Sequence, residues 1–267
     1  MSEVRGHQVA DDVFVFTGTA VNWVLIREGS ELTLVDAGWR GDTEQVERSI
    51  RSLGRDPQDL RAVVLTHAHA DHTGALNHLH DSYGVPLYMD SAEVPNAVGT
   101  VDESGGPLDI AKILYRPRVA LWAAQIVGVG ALRHVTVPDA QPFPQDDGQD
   151  DRPDDGALDL PGRPVPVATP GHTSGHTSYL LPSAGVLISG DALVTAHPTL
   201  PDVVAPRLLP GFFSNDQDSA VRALSTLRTV DADTLVPGHG PTWDGPISRA
   251  ADEALEAAEH VSEEERP

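Results

Sequence analysis

Residues 62–72 read Ala62-Val63-Val64-Leu65-Thr66-His67-Ala68-His69-Ala70-Asp71-His72. The first four are a short, wholly apolar run, the pattern of a strand buried on both faces. Three of the chain's twelve histidines then fall within six residues, with Asp71 between them. His67 and His69, two apart and just beyond a strand, can converge on one point if the loop curls. Asp71 and His72 begin a helix and project toward a second point. Imidazole with carboxylate is the donor set that zinc and similar borderline ions prefer. The helix is expected to run from Asp71 to about Tyr83, ended by Gly84, before a strand at 86–89.

Outward from this stretch, the N-terminal side predicts strands at 13–16, 22–26 and 32–35. A helix follows over 42–53, with Asp42 as cap, Val46 and Ile50 on one face and Gly54 as stop. On the C-terminal side, strands are expected at 165–168, 178–181, 186–188 and 234–236. Helices are expected at 216–228 and 248–260. Residues 92–135 break the strand rhythm and carry a long apolar stretch at 119–127, which predicts a helical insertion packed over the sheet edge. Residues 141–156 are rich in Pro, Gly, Gln and Asp and predict a flexible acidic loop, without the ligand spacing of an EF-hand. No repeat or linker interrupts the chain, so one domain over 1–267 is expected.

Composition narrows the function. Hydrophobic residues are 40% and aromatics only 5%, so the core must be largely aliphatic. There is no cysteine, which removes thiolate ligands and thiol nucleophiles and leaves any metal to imidazole and carboxylate. The formal net charge of −22 repels phosphate backbones and anionic membranes, so no nucleic-acid partner is expected. No signal peptide is apparent at the N-terminus, and no run approaches the ~18 apolar residues of a membrane span. A cytoplasmic location, a small-molecule substrate and no membrane partner are the expectations; a homodimer is compatible with them.

Three further segments repeat one arrangement, a strand followed by a Gly-containing turn that presents one ligand-capable side chain. They are Thr169-Pro170-Gly171-His172-Thr173-Ser174-Gly175-His176, Ser189-Gly190-Asp191 and Pro237-Gly238-His239-Gly240. Sites gather at the carboxyl ends of strands in α/β proteins. With Val35-Asp36-Ala37-Gly38 ahead of them, these motifs stand in the order that resembles the metallo-β-lactamase superfamily, and they span 36–240.

The resemblance implies an α/β fold, a four-layer αββα sandwich with metals at one edge and the helical insertion at 92–135. It implies that His67, His69 and His172 hold a first metal, that Asp71, His72 and His239 hold a second, and that Asp191 bridges them. Asp36 would orient a ligand imidazole. Two zinc ions, with iron or manganese as alternatives, would share a hydroxide that cleaves an ester, lactone or thioester, with Asp71 as proton acceptor. His176 is a candidate to stand behind the ligands, whereas His78 and His80 are expected in solvated or half-buried places. His7, His134, His197 and His260 are expected at the surface or in packing.

Within the family, Asp191 matches glyoxalase II and the acyl-homoserine lactonases rather than zinc β-lactamases. His69 departs from the Glu of diiron flavoproteins. Only 28 residues follow His239, too few for the glutathione-binding segment of glyoxalase II, and Val194 stands where many lactonases have Tyr. Lys112, Arg116, Arg118 and Arg133 beside Leu114, Leu121, Trp122 and Ile126 would suit an acyl chain on an anionic carrier. The competing reading is an oxidoreductase resembling the persulfide dioxygenases, with one iron on two His and one Asp.

Overall fold

Alternation along the first strands sorts their side chains between two cores. In the computed structural model, which describes residues 4–104, 107–133, 135–144 and 156–264, β1 (Arg5–Ala10), β2 (Val13–Thr17), β3 (Asn22–Glu28) and β4 (Glu31–Val35) form an antiparallel meander. Val13, Val15, Val24 and Ile26 face one side, and Phe16, Trp23, Leu25, Leu32 and Leu34 face the other, as a two-residue period requires. After α1 (Thr43–Ser52), β5 (Leu60–Val64) pairs parallel with β4. Then come α2 (Leu76–Tyr83) and β6 (Leu87–Met89), parallel to β5. The insertion follows as α3 (Val94–Ala97), α4 (Pro107–Ile113) and α5 (Pro117–Gly128), and β7 (Ala140–Pro142) closes the sheet beside β6.

The second sheet is built from β8 (Val165–Ala168), β9 (Thr177–Leu181), β10 (Val186–Gly190), β11 (Thr234–Pro237) and β12 (Trp243–Asp244). Helix α6 (Gln217–Leu227) lies between β10 and β11, and α7 (Ile247–Glu264) follows β12. Among the described residues, the two sheets have seven and five strands, ordered β1-β2-β3-β4-β5-β6-β7 and β12-β11-β10-β9-β8.

The result is the αββα sandwich. Val46 and Ile50 of α1 and Leu76 and Leu79 of α2 cover the outer face of the first sheet. Val35 and Val64 meet Tyr179, Val186, Ile188 and Val236 between the sheets. Leu224, Leu227, Ile247, Ala250 and Ala254 of α6 and α7 cover Leu187 and Leu235 on the far side. Strands such as β5 and β10 are apolar along most of their length because both of their faces are buried.

Three features depart from the sequence expectation. The helix after the histidine run begins at Leu76 rather than Asp71. Residues 72–75 instead form a turn whose backbone pairs with the segment after β4. Ala37 donates to the carbonyl of His72, Gly74 to Gly38 and Ala75 to Ala37. A Cβ at Gly74 would collide with the carbonyl carbon of Trp39, so only glycine lets the two segments touch. Strands β1, β7 and β12 carry weak apolar patterns and were not expected. The last helix extends to Glu264.

Within the acidic stretch, 140–142 is β7, and 145–155 lie outside the described residues, as does His134. The insertion is helical, and its Val119, Trp122 and Ile126 pack with Val21 and Trp39. Among the described residues no helix is long and apolar enough to cross a membrane.

Candidate metal centre

β4, β5, β8, β10 and β11 all end at one edge of the sandwich, and each is followed by one of the segments singled out in the sequence. The structure brings all seven expected side chains together there. His67, His69 and His172 form one cluster of ligand atoms, Asp71, His72 and His239 a second, and His67, His72 and Asp191 a third that joins them; in each, the ligand atoms lie within 4.8 Å of one another. Asp191 stands at the centre. Its Oδ2 is 3.5 Å from His172 Nε2 and 3.2 Å from His239 Nε2, and its Oδ1 is 3.5 Å from His72 Nε2. Asp71 Oδ2 is 3.4 Å from His239 Nε2 and 3.9 Å from His72 Nε2.

Hydrogen bonds behind the ligands set which ring nitrogen faces inward. Asp36 Oδ2 accepts from His72 Nδ1 at 2.8 Å, and the Thr66 amide and hydroxyl donate to the same carboxylate, each at 2.8 Å. Because the Thr66 hydroxyl gives its proton to Asp36, its oxygen is left to accept from His67 Nδ1 at 3.0 Å. His239 Nδ1 donates to the carbonyl of Ala20 at 2.5 Å. Each contact turns Nε2 toward the cluster, the arrangement by which outer carboxylates and carbonyls orient ligand imidazoles. His69 is turned the other way: Nε2 donates to the carbonyl of Glu103 at 3.1 Å, and Nδ1 faces His172 Nε2 at 2.9 Å.

These residues fit divalent ions. His67 Nε2, His72 Nε2 and Asp191 Oδ1 are buried without a hydrogen-bond partner, which is costly unless something else satisfies them. Burial and the neighbouring imidazoles of His72 and His69 push His67 well below the usual histidine range; burial and His69 do the same to His172. Both are therefore held in the neutral form that can ligate. At His239, burial works downward, but Asp191 and Asp71 outweigh it and raise the ring to about 10. Asp191 shows the converse: burial works upward, but His239 and His72 hold it well below the carboxylate range. Oppositely charged groups thus take up the carboxylates' charge where cations would. Close approach is built in as well, since a Cβ on Gly238 would collide with Asp191 Oδ1.

His176 sits beneath Asp191 rather than among the ligands. Its Nε2 accepts from the Asp191 amide at 3.0 Å, and its Nδ1 donates to Thr169 Oγ1 at 2.9 Å; burial lowers its pKa to about 3. His78 is exposed and pairs with Glu47 at 2.7 Å, and half-buried His80 donates to the carbonyl of Val85. His7 is on exposed β1. Two residues escaped the sequence reading, and a third, His197, is in packing, one of the places expected for it. Buried Glu93 and half-buried Glu103 contact the ligand loops from the insertion. His197 is buried, with its ring 5.0 Å from that of His239 and 5.0 Å from that of Trp122. Of these two ring contacts, only that with Trp122 comes from the insertion.

The insertion's basic residues are largely engaged by their own chain. Arg118 donates to the carbonyls of His197 and Leu200 and to Asp202, and Lys112 pairs with Asp109. A cleft of about 740 Å³ beside Ala20, His197 and Gly240 also includes Arg5 and His7, but none of the seven side chains lines it.

The sequence profile described as the metallo-beta-lactamase superfamily matches residues 16–239. YflN of Bacillus subtilis (strain 168), a probable metallo-hydrolase, is 26% identical over 253 residues, covering 92% of this chain and 90% of that protein. AttM of Rhizobium johnstonii, an N-acyl homoserine lactonase, is 30% identical over 248 residues, covering 88% of this chain and 78% of that protein. A solved metallo-beta-lactamase family protein from Thermus thermophilus shares the fold, with a TM-score of 0.61 and 24% identity over 91% of this chain and 76% of the other.

Proposed function

The chain belongs to the metallo-beta-lactamase superfamily and is a metallo-hydrolase; from that premise we propose that it works with a dinuclear, zinc-type centre on an ester, lactone or thioester bond. The observation that carries this reading is the pair of three-residue clusters joined by a third that holds Asp191 together with His67 and His72. A single-iron dioxygenase site would engage only two His and one Asp of this set, so metal content separates the two readings.

His67, His69 and His172 would hold one ion, Asp71, His72 and His239 the other, with Asp191 between them. When bound, such ions make water nucleophilic near neutral pH and polarise an acyl carbonyl. The protein's own part is to aim these groups and to handle the proton. His67, His72, His172, Asp191 and His239 are buried, whereas His69 and Asp71 keep some exposure, so substrate would approach over them. Asp71 would take the proton of the attacking water and return it to the leaving oxygen or sulfur.

The lactonase relative supports an acyl substrate with a cyclic or open ester. Val194, where many lactonases have Tyr, is buried and pairs with Arg207, so this chain would have to recognise its substrate with other side chains. Expected outcome: Asp191→Ala and His67→Ala each lower ester, lactone or thioester turnover by about two orders of magnitude or more. Full activity of either variant, or of metal-free protein, would overturn the reading.

A further inference from the structure

Glu93 is none of the seven side chains, yet its carboxylate joins the two loops that carry the three-imidazole cluster. It is fully buried at the entry to the insertion. One oxygen accepts from the Ala68 amide and from Asn96 Nδ2, each at 2.8 Å; the other accepts from Thr173 Oγ1 at 2.7 Å and from the Gly175 amide at 3.1 Å. Ala68 lies between His67 and His69, and Thr173 directly follows His172. Burying a carboxylate is costly unless its lone pairs are satisfied, and here four donors satisfy it, three of them from the ligand loops. The His172 loop also touches the start of the insertion at the backbone, since a Cβ on Gly175 would collide with the Glu93 nitrogen.

Glu103 extends the same contact. Its carbonyl accepts from His69 Nε2, and its carboxylate accepts from the Ser174 amide at 2.7 Å and from Asn215 Nδ2 at 3.1 Å. The second cluster is supported elsewhere, by Asp36 on His72 and by the Ala20 carbonyl on His239.

We infer that Glu93 is a positioning residue that sets the metal affinity of the His67–His69–His172 half of the centre, so that the start of the insertion is a structural part of that half. This rests on the dinuclear reading above. Removing Glu93's acceptors frees the His67–His69 loop from the His172 loop but leaves the supports of the other half in place. The histidine-rich half should therefore lose more affinity than the half with which it shares Asp191.

The test is zinc titration of metal-free wild-type, Glu93→Gln and Thr173→Val proteins against a chromophoric chelator, with the visible spectrum of the cobalt(II) forms recorded in parallel. Glu93→Gln keeps the size of the side chain but turns one acceptor into an NH₂ that faces donors. It should weaken one site about tenfold to a hundredfold, as loss of a partner behind a ligand does. The other site, which shares Asp191, should weaken less, and the cobalt bands of the histidine-rich site should change most. Thr173→Val removes a single donor and should weaken the same site about threefold. Equal weakening of both sites, or unchanged affinity in both variants, would overturn the inference. Wild-type protein that binds no ion would overturn the dinuclear reading itself.

Discussion

Asp36 has a backbone that most residues avoid, with φ of 60°, a conformation in which Asp and Asn are enriched. From there it receives His72 directly and His67 through Thr66, so one carboxylate fixes a ring in each cluster. Asp36→Asn keeps a side chain that tolerates this backbone but replaces an acceptor with a donor. Metal affinity is expected to fall about tenfold to a hundredfold, read by chelator competition, with the fold retained by circular dichroism; unchanged affinity would contradict the role. The seven clustered residues were legible in the sequence because they stand in short segments that follow strand ends. Glu93 and Glu103 were not, because their partners lie tens of residues away and only the folded insertion brings them in.

Between elements, α1 and α2 are tied by Glu47 and Tyr83. Burial pushes the Glu47 carboxyl up, but hydrogen bonds from Tyr83, His78 and Arg51 outweigh it and hold it at about 2. A depressed carboxylate contributes stability that is complete above its unfolded value of about 4.3 and is lost as pH falls through the folded value. Tyr83→Phe should therefore cost about 1.5 kcal/mol at pH 7, and the cost should shrink between about pH 4.3 and about pH 2; a difference that does not change with pH would contradict this assignment. In the insertion, Trp122 packs on His197, which packs on His239. Trp122→Ala should raise KM for acyl substrates far more than it lowers metal content, and identical kinetics across an acyl panel would remove the insertion from substrate binding. The helix expected from Asp71 starts later because tertiary pairing of residues 72–75 with Ala37 and Gly38 competes with the local pattern. The polar edge strand β1 has too little apolar alternation to be read in advance.

Across the whole molecule, two mixed sheets bring five strand ends to one edge, where Asp71 and Asp191 converge in a chain of net charge −22. Cations bound there stabilise the native state alone. An ion at a hundred times its dissociation constant contributes about 2.7 kcal/mol, or roughly 5–10 °C in melting temperature for a chain of this size. A chelator should lower the melting temperature by that order, and zinc should restore it. The most direct measurement is the metal content of protein purified without added metal, taken together with turnover of an ester, lactone and thioester panel before and after metal removal. The account predicts two ions per chain, hydrolysis that disappears with them and hydrolysis that returns when they do. One iron per chain with oxygen uptake on a persulfide, or undiminished hydrolysis by metal-free protein, would contradict it.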